Sequence, residues 1–263
     1  MSMSPPTQAH GNSTIEPPCL GQANDEFAWD DFDPIQYIDD NYLHPFEDDL
    51  VILQKVRDFF VEVGPAGGRG IDVGAGANLY PTLAMLPFCD EIELHEWSRS
   101  NRQWLRTQVE RYSEVWDPYW HLLAPQEPIY NDISPRETVA RMTRVRVGNV
   151  FQLPRRQWDI GVMFYVAESI SMQEREFNAA IERFTGALRP GAPFAAAFMK
   201  ESRGYMNGHN RFPAVPVTEA DVRHALERHV DDVHVETIFS GQLLRSDYKG
   251  MILALGRAGR AKR

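Results

Sequence analysis

Apolar residues recur at spacings of three and four through Leu50, Leu53, Val56, Phe60 and Val63, which predicts an amphipathic helix over 47–63. Gly64-Pro65-Ala66-Gly67-Gly68 ends it, since Gly and Pro both break helices. Beyond that break, short apolar runs alternate with longer amphipathic ones. The runs predict strands at 70–74, 91–95, 144–148, 159–164, 193–199, 232–239 and 248–255. Helices are expected near 79–86, from Ser98 onward, at 173–187 and at 218–228. Ser98 suits an N-cap, and Thr218 opens a Thr-x-x-Asp pattern compatible with a capping arrangement. Leu188-Arg189-Pro190-Gly191 turns the chain between the 173–187 helix and the next strand.

Strands alternating with helices imply an α/β fold: a Rossmann-like, doubly wound, seven-stranded sheet, mostly parallel and covered on both faces. The last two strands have no helix between them, so they should form an antiparallel C-terminal hairpin at one edge. Residues 1–25 are rich in Pro, Ser, Thr, Asn and Gly and read as a disordered leader. An acidic stretch follows, with Phe27, Trp29, Phe32, Tyr37, Tyr42 and Phe46 set among aspartates. Aromatics at that density want a surface, either as core-capping helices or as the cover of a pocket. We take 26–66 as an N-terminal helical lid on a domain spanning 67–256. The insert 113–137 carries Trp116, Tyr119, Trp120 and four prolines, and should be irregular or briefly helical. Residues 257–263 read as a flexible basic tail.

Composition narrows the partners. The 263 residues are 43% hydrophobic, with 14 Phe, 9 Tyr and 6 Trp, enough for a substantial core. A net charge of −10 gives no general attraction to nucleic acid or to an anionic membrane. No run approaches the roughly 20 apolar residues that span a bilayer, and the N-terminus lacks the basic and apolar regions of a signal peptide. With only Cys19 and Cys89, a stabilising disulfide is not expected, which fits the cytoplasm. The expected partner is a small molecule, and the expected state is a monomer. No spacing of His, Cys or carboxylates suggests a metal site.

The candidate chemistry starts at Ile71-Asp72-Val73-Gly74-Ala75-Gly76-Ala77-Asn78-Leu79-Tyr80, a buried strand, a glycine turn and a helix start. Gly74 and Gly76 allow a close approach, and Glu96 ends the next strand, where a carboxylate can accept hydrogen bonds from ribose hydroxyls. The third glycine of G-x-G-x-x-G is absent because Leu79 stands there. A dinucleotide pyrophosphate needs close helix–strand packing at that point, so the pattern leans to S-adenosylmethionine. NAD remains an alternative, as does a plain tight turn beside a surface acid.

Three segments carry a more specific resemblance. They are Phe32-Asp33-Pro34-Ile35-Gln36-Tyr37-Ile38-Asp39-Asp40-Asn41-Tyr42, Asp72 to Tyr80 continuing to Glu96-Trp97-Ser98-Arg99-Ser100-Asn101, and Leu188-Arg189-Pro190-Gly191 through Tyr205-Met206-Asn207-Gly208. Together they resemble the nicotinamide, phenylethanolamine and thioether (indolethylamine) N-methyltransferases over about residues 30 to 256. The resemblance implies transfer of a methyl group from S-adenosylmethionine, leaving S-adenosylhomocysteine, most often to the nitrogen of an amine or N-heterocycle. It implies cofactor-binding roles for Tyr37, Tyr42, Asp72, Gly74, Gly76, Tyr80, Glu96, Trp97, Asn101, Asn149 and Val150. It also implies substrate contacts from Tyr165, Glu168, Phe198 and Tyr205, with Glu168 and Tyr37 as the catalytic pair. Asn149 replaces the family's usual Asp, and its carbonyl can still meet an adenine amino group. Phe198 or Met199 stands where the nicotinamide enzyme has a substrate-facing Asp, which argues against nicotinamide. O-, S- or C-methylation of a small aromatic metabolite and binding without turnover stay open.

Overall fold

The computed structural model describes residues 21–124 and 127–259. Residues 1–20 of the expected leader, Cys19 among them, and 260–263 of the expected basic tail lie outside the described residues.

Ten segments cover the first half of the fold: α1 (Pro34–Asn41), α2 (Glu47–Val63), β1 (Arg69–Val73), α3 (Tyr80–Met85), β2 (Glu91–Glu96), α4 (Arg99–Glu110), α5 (Asp117–Leu123), α6 (Pro128–Asn131), α7 (Pro135–Met142) and β3 (Thr143–Val147). The second half runs β4 (Ile160–Phe164), α8 (Glu174–Ala187), β5 (Pro193–Met199), β6 (Tyr205–Asn207), β7 (Asn210–Phe212), α9 (Glu219–Glu227), β8 (Val230–Ile238) and β9 (Met251–Ala258). Seven strands form one sheet in the order β3-β2-β1-β4-β5-β9-β8. β1 to β5 pair in parallel, whereas β9 runs antiparallel to both β5 and β8. The order reverses between β1 and the β4 side, so the strand ends there open a crevice at the switch point.

Each face of the sheet has its own core. Ile52, Leu53, Val56 and Phe60 of α2 pack with Leu83 of α3 and with Ile92, Val162 and Ala197 of the strands. On the other face Phe177, Ile181 and Phe184 of α8 and Val222 of α9 pack with Ile71, Phe194 and Phe198. Strand alternation sends Phe194, Ala196 and Phe198 of β5 to the second face and Ala195 and Ala197 to the first. The capping expectations hold: Ser98 accepts from the Asn101 amide at 3.4 Å, and Thr218 and Asp221 form a reciprocal box.

Several expectations are corrected. Residues 21–25 are not disordered, because Asn24 donates its backbone N–H to Glu176 at 2.8 Å and its side-chain amide to the Ile170 carbonyl. The lid expected over 26–66 is also core: Phe32, Ile38, Tyr42 and Phe46 of its first part and Ile52, Leu53, Val56 and Phe60 of α2 are buried in one cluster, while Trp29, Phe32, Tyr37 and Tyr42 also line the site. The buried face of α2 is also shifted, with Ile52 fully buried and Leu50 and Val63 half-buried. The insert is briefly helical, as expected, in α5 and α6, and Trp116, Tyr119 and Tyr130 are fully buried in it. The β6–β7 hairpin adds two strands where none is expected, since three-residue strands give no readable alternation. Arg257 and Ala258 of the expected tail belong to β9.

Candidate active site

Gly74 and Gly76 take positive φ angles of 66° and 57°, so the chain turns sharply out of β1 toward α3. Any side chain at Gly74 would meet Val166, 2.6 Å from its first carbon. The turn is fastened by the buried Glu96, whose Oε2 accepts the Gly76 N–H at 2.8 Å and whose Oε1 accepts the Ser98 N–H at 2.7 Å. Burial raises its pKa, and the two amides oppose that rise. The carboxylate is thus locked in orientation at the end of β2.

Above this turn lies a cleft of about 910 Å³. Gly74, Gly76, Glu96, Trp97, Asn101, Asn149 and Val150 line it, together with Tyr37 and Tyr42 from the lead segment. Asn101 is buried, and its Oδ1 has no hydrogen-bond partner among the described residues. An orphaned acceptor, a fixed carboxylate and a glycine turn suit the hydroxyls and amino group of a nucleoside. Trp97 is 52% exposed and forms a rim rather than a wall. The Asn149 carbonyl already accepts the Phe151 N–H at 2.9 Å, which leaves one lone pair and the amide nitrogen for a ligand. His95 lines the same cleft, whereas His209 is exposed on the hairpin and lines neither this cleft nor the cavity beside it.

A second cavity of about 1340 Å³ adjoins the first and shares Tyr37, Tyr42, Tyr165, Ser169 and Tyr205 with it. The rings of Tyr37 and Tyr42 meet edge to face at 5.8 Å, and those of Tyr37 and Tyr205 at 6.4 Å. Burial pushes the Tyr37 hydroxyl up to about 12, so these rings are neutral and present polarisable faces and hydroxyl groups to both spaces. Tyr165 follows β4 in a left-handed conformation with φ of 58°, a strain of about 1–3 kcal/mol in a non-glycine residue. That turn directs its ring to the boundary of the two cavities. Asp49, Met199, Arg245, Asp247 and Met251 are among the other residues that line the second cavity, as are Asp40 and Arg211. The 239–250 segment is pinned there by Asp48, which accepts the Ser240 N–H at 2.7 Å and the Tyr248 hydroxyl.

Four expected site residues are not on the walls of either cavity. Asp72 is buried and accepts the Thr82 hydroxyl at 2.6 Å, tying β1 to α3; burial raises its pKa to about 7. Tyr80 stands behind the lining, stacked on Tyr119 at 5.0 Å and donating to Asp49 at 2.7 Å. Phe198 points to the opposite face of the sheet, against Phe177, and its neighbour Met199 faces the cavity. Glu168 is fully buried, its Oε1 accepting the Met199 N–H at 2.8 Å and its main-chain carbonyl accepting the Val215 N–H. It braces the β4 and β5 ends, and burial raises its pKa to about 7. The sequence reading passed over Asp49, Ser169 and Arg245. Asp49 had a signal, since it lies four residues before Leu53 and seven before Val56, an acid on an otherwise apolar face. The 113–137 insert supports Tyr42 and Tyr80 from behind.

Among the described residues no helix is long and apolar enough to cross a membrane. The chain is 27% identical over 250 residues to phenylethanolamine N-methyltransferase of Sus scrofa, covering 86% of this chain and 87% of that one. It is 28% identical to the Homo sapiens phenylethanolamine N-methyltransferase, covering 79% and 80%. Among solved structures, N-methyltransferase NodS from Bradyrhizobium japonicum WM9 in complex with S-adenosylhomocysteine superposes with a TM-score of 0.54 at 14% identity, covering 85% of this chain and 91% of that one. A SAM-dependent methyltransferase from Methanosarcina mazei gives 0.52 at 12% identity, covering 76% and 96%. The NNMT/PNMT/TEMT family profile matches residues 21–257, and the chain belongs to that family of S-adenosylmethionine-dependent methyltransferases.

Proposed function

We propose that this enzyme methylates the nitrogen of a small-molecule amine or N-heterocycle held in the second cavity. The observation that carries the reading is the shared aromatic wall: Tyr37, Tyr42, Tyr165 and Tyr205 border both the nucleoside cleft and the adjoining cavity. When bound, S-adenosylmethionine supplies a methyl group on a sulfonium: the acceptor nitrogen's lone pair makes the new N–C bond, the C–S pair stays on sulfur, and the positive charge passes to nitrogen.

This chain's residues bind, align and exclude water. Glu96 and Asn101 would hold the ribose end, and Asn149 and Val150 the base. The tyrosine faces attract a cation by about 0.5–2 kcal/mol per favourable contact. Holding donor and acceptor in line contributes more than any single contact, because it removes the entropy of encounter. Phenylethanolamine, named in its relatives, is a reasonable member of the acceptor class, with Met199 and Met251 giving an apolar floor.

The test is transfer of a labelled methyl group across a panel of amines, N-heterocycles, phenols and thiols of similar size. Labelling of amines or N-heterocycles is expected. Labelling confined to phenols or thiols would overturn the nitrogen assignment, and no labelling with the cofactor bound would favour a binding protein.

A further inference from the structure

Asp49 is a buried carboxylate on the wall of the acceptor cavity, in the first turn of α2. Two hydroxyls donate to it, from Tyr80 and Tyr165, each at 2.7 Å, and both reach the same oxygen, Oδ1. Its Oδ2 takes no hydrogen bond from the described residues, and it is not among the buried atoms shut away from a partner. Asp48 beside it is fully used by Ser240 and Tyr248. The two tyrosines therefore fix the plane of the Asp49 carboxyl and leave its second oxygen for whatever fills the cavity.

We propose that Asp49 is the acceptor-binding carboxylate, taking an N–H of a primary or secondary amine on Oδ2, and so selects amines over equally sized alcohols and carboxylates. The inference rests on the reading of the second cavity as the acceptor site. A buried carboxylate without a cationic or N–H partner is costly, and two hydroxyl donors offset only part of that cost. An acceptor amine removes that cost, and the ammonium that forms on transfer removes more of it. The same carboxylate repels an anionic acceptor and gives a neutral alcohol only one ordinary hydrogen bond. Tyr165 acts as a positioning residue: its strained backbone places its hydroxyl on Asp49 Oδ1 and its ring between the two cavities. Glu168, which braces the cavity from outside its wall, cannot take this role without moving.

The experiment is calorimetric binding to the full chain saturated with S-adenosylhomocysteine, using 2-phenylethylamine, 2-phenylethanol and 3-phenylpropionate as probes. The wild-type protein is expected to bind the amine at least tenfold tighter than the other two. Asp49→Asn is expected to keep its affinity for S-adenosylhomocysteine, which reports an intact fold, and to lose that preference. Asp40 and Asp247 line the same cavity, so should Asp49→Asn fail to fold, Asp49→Ser is measured in its place and is expected to lose the preference likewise. S-adenosylhomocysteine binding without any preference for the amine overturns this inference and leaves the cofactor site standing. An amine preference retained in folded Asp49→Asn overturns it as well. Failure of the wild type to bind S-adenosylhomocysteine overturns the reading of the cavities themselves.

Discussion

The lead segment packs through Phe32, Ile38, Tyr42 and Phe46 and is tied to the β6–β7 hairpin by a paired side-chain contact. Asn207 is buried at the end of β6, where it accepts the Asp33 N–H at 2.7 Å and donates its amide to the Asp33 carbonyl at 2.9 Å. Asn210 adds a longer contact to the Asp31 carbonyl, and Trp29 stacks on Phe212 at 5.3 Å. Asn207→Ala removes the paired bonds while leaving the stack. Each such bond contributes about 0.5–1.5 kcal/mol net. The pair therefore contributes about 1–3 kcal/mol, a ~5- to 150-fold change in the equilibrium between closed and open lead segment. Hydrogen exchange of residues 30–46 reads that change directly, and protection should fall by a factor in that range. Cofactor affinity behaves differently, because it scales with the closed fraction. It should stay near the wild-type value until opening becomes comparable to closing, and fall only then. S-adenosylhomocysteine should restore protection to 30–46 in both proteins. Equal exchange in Asn207→Ala and wild type, or no added protection on ligand binding, would refute the view of this segment as a cover.

Other substitutions test separate parts of the account. Glu96→Gln should lower affinity for S-adenosylhomocysteine by about 10- to 150-fold, as expected for losing one charge-assisted hydrogen bond; unchanged binding by calorimetry would remove Glu96 from the site. Burial raises the Asp72 pKa to about 7, so the folded protein holds a proton that the unfolded chain has released between about pH 4 and 7. Stability should therefore be full below that window and decline as pH rises through it, by up to about 4 kcal/mol for a shift of this size. Asp72→Asn should flatten that decline in urea melts at pH 5 and pH 8, and an unaltered slope would contradict the assignment; Glu168 has the same sign. Phe198→Ala should cost about 3–5 kcal/mol of stability in urea unfolding, whereas Met199→Ala should shift the KM for the acceptor; the reverse pattern would mean that β5 faces the other way.

Much of this was legible because it follows from period and punctuation. The glycine turn, the acid ending β2 and the Ser98 and Thr218 caps are local signals, and the structure places each near its expected position. What misled was the step from a strand end to a side-chain direction. Phe198 and Met199 are adjacent, and a register shift of one residue exchanges cavity for core. Asp72 carries the right chemistry near a strand end but spends it on Thr82, whereas Glu168 gives Oε1 to Met199 and keeps Oε2 buried without a hydrogen-bond partner among the described residues. Asp49 was missed for the opposite reason. Its helix is read from its apolar positions alone, which say nothing of the acid on the same face. The hairpin β6–β7 and the 239–250 segment gain their order from long-range contacts such as Asp33–Asn207 and Asp48–Tyr248, which no local pattern announces.

The most direct test of the central claim is a calorimetric titration of the full chain with S-adenosylhomocysteine and, separately, with NAD. The account predicts one-to-one binding of S-adenosylhomocysteine, weakened by Glu96→Gln, and no heat from NAD. Binding of NAD with none of S-adenosylhomocysteine would contradict it.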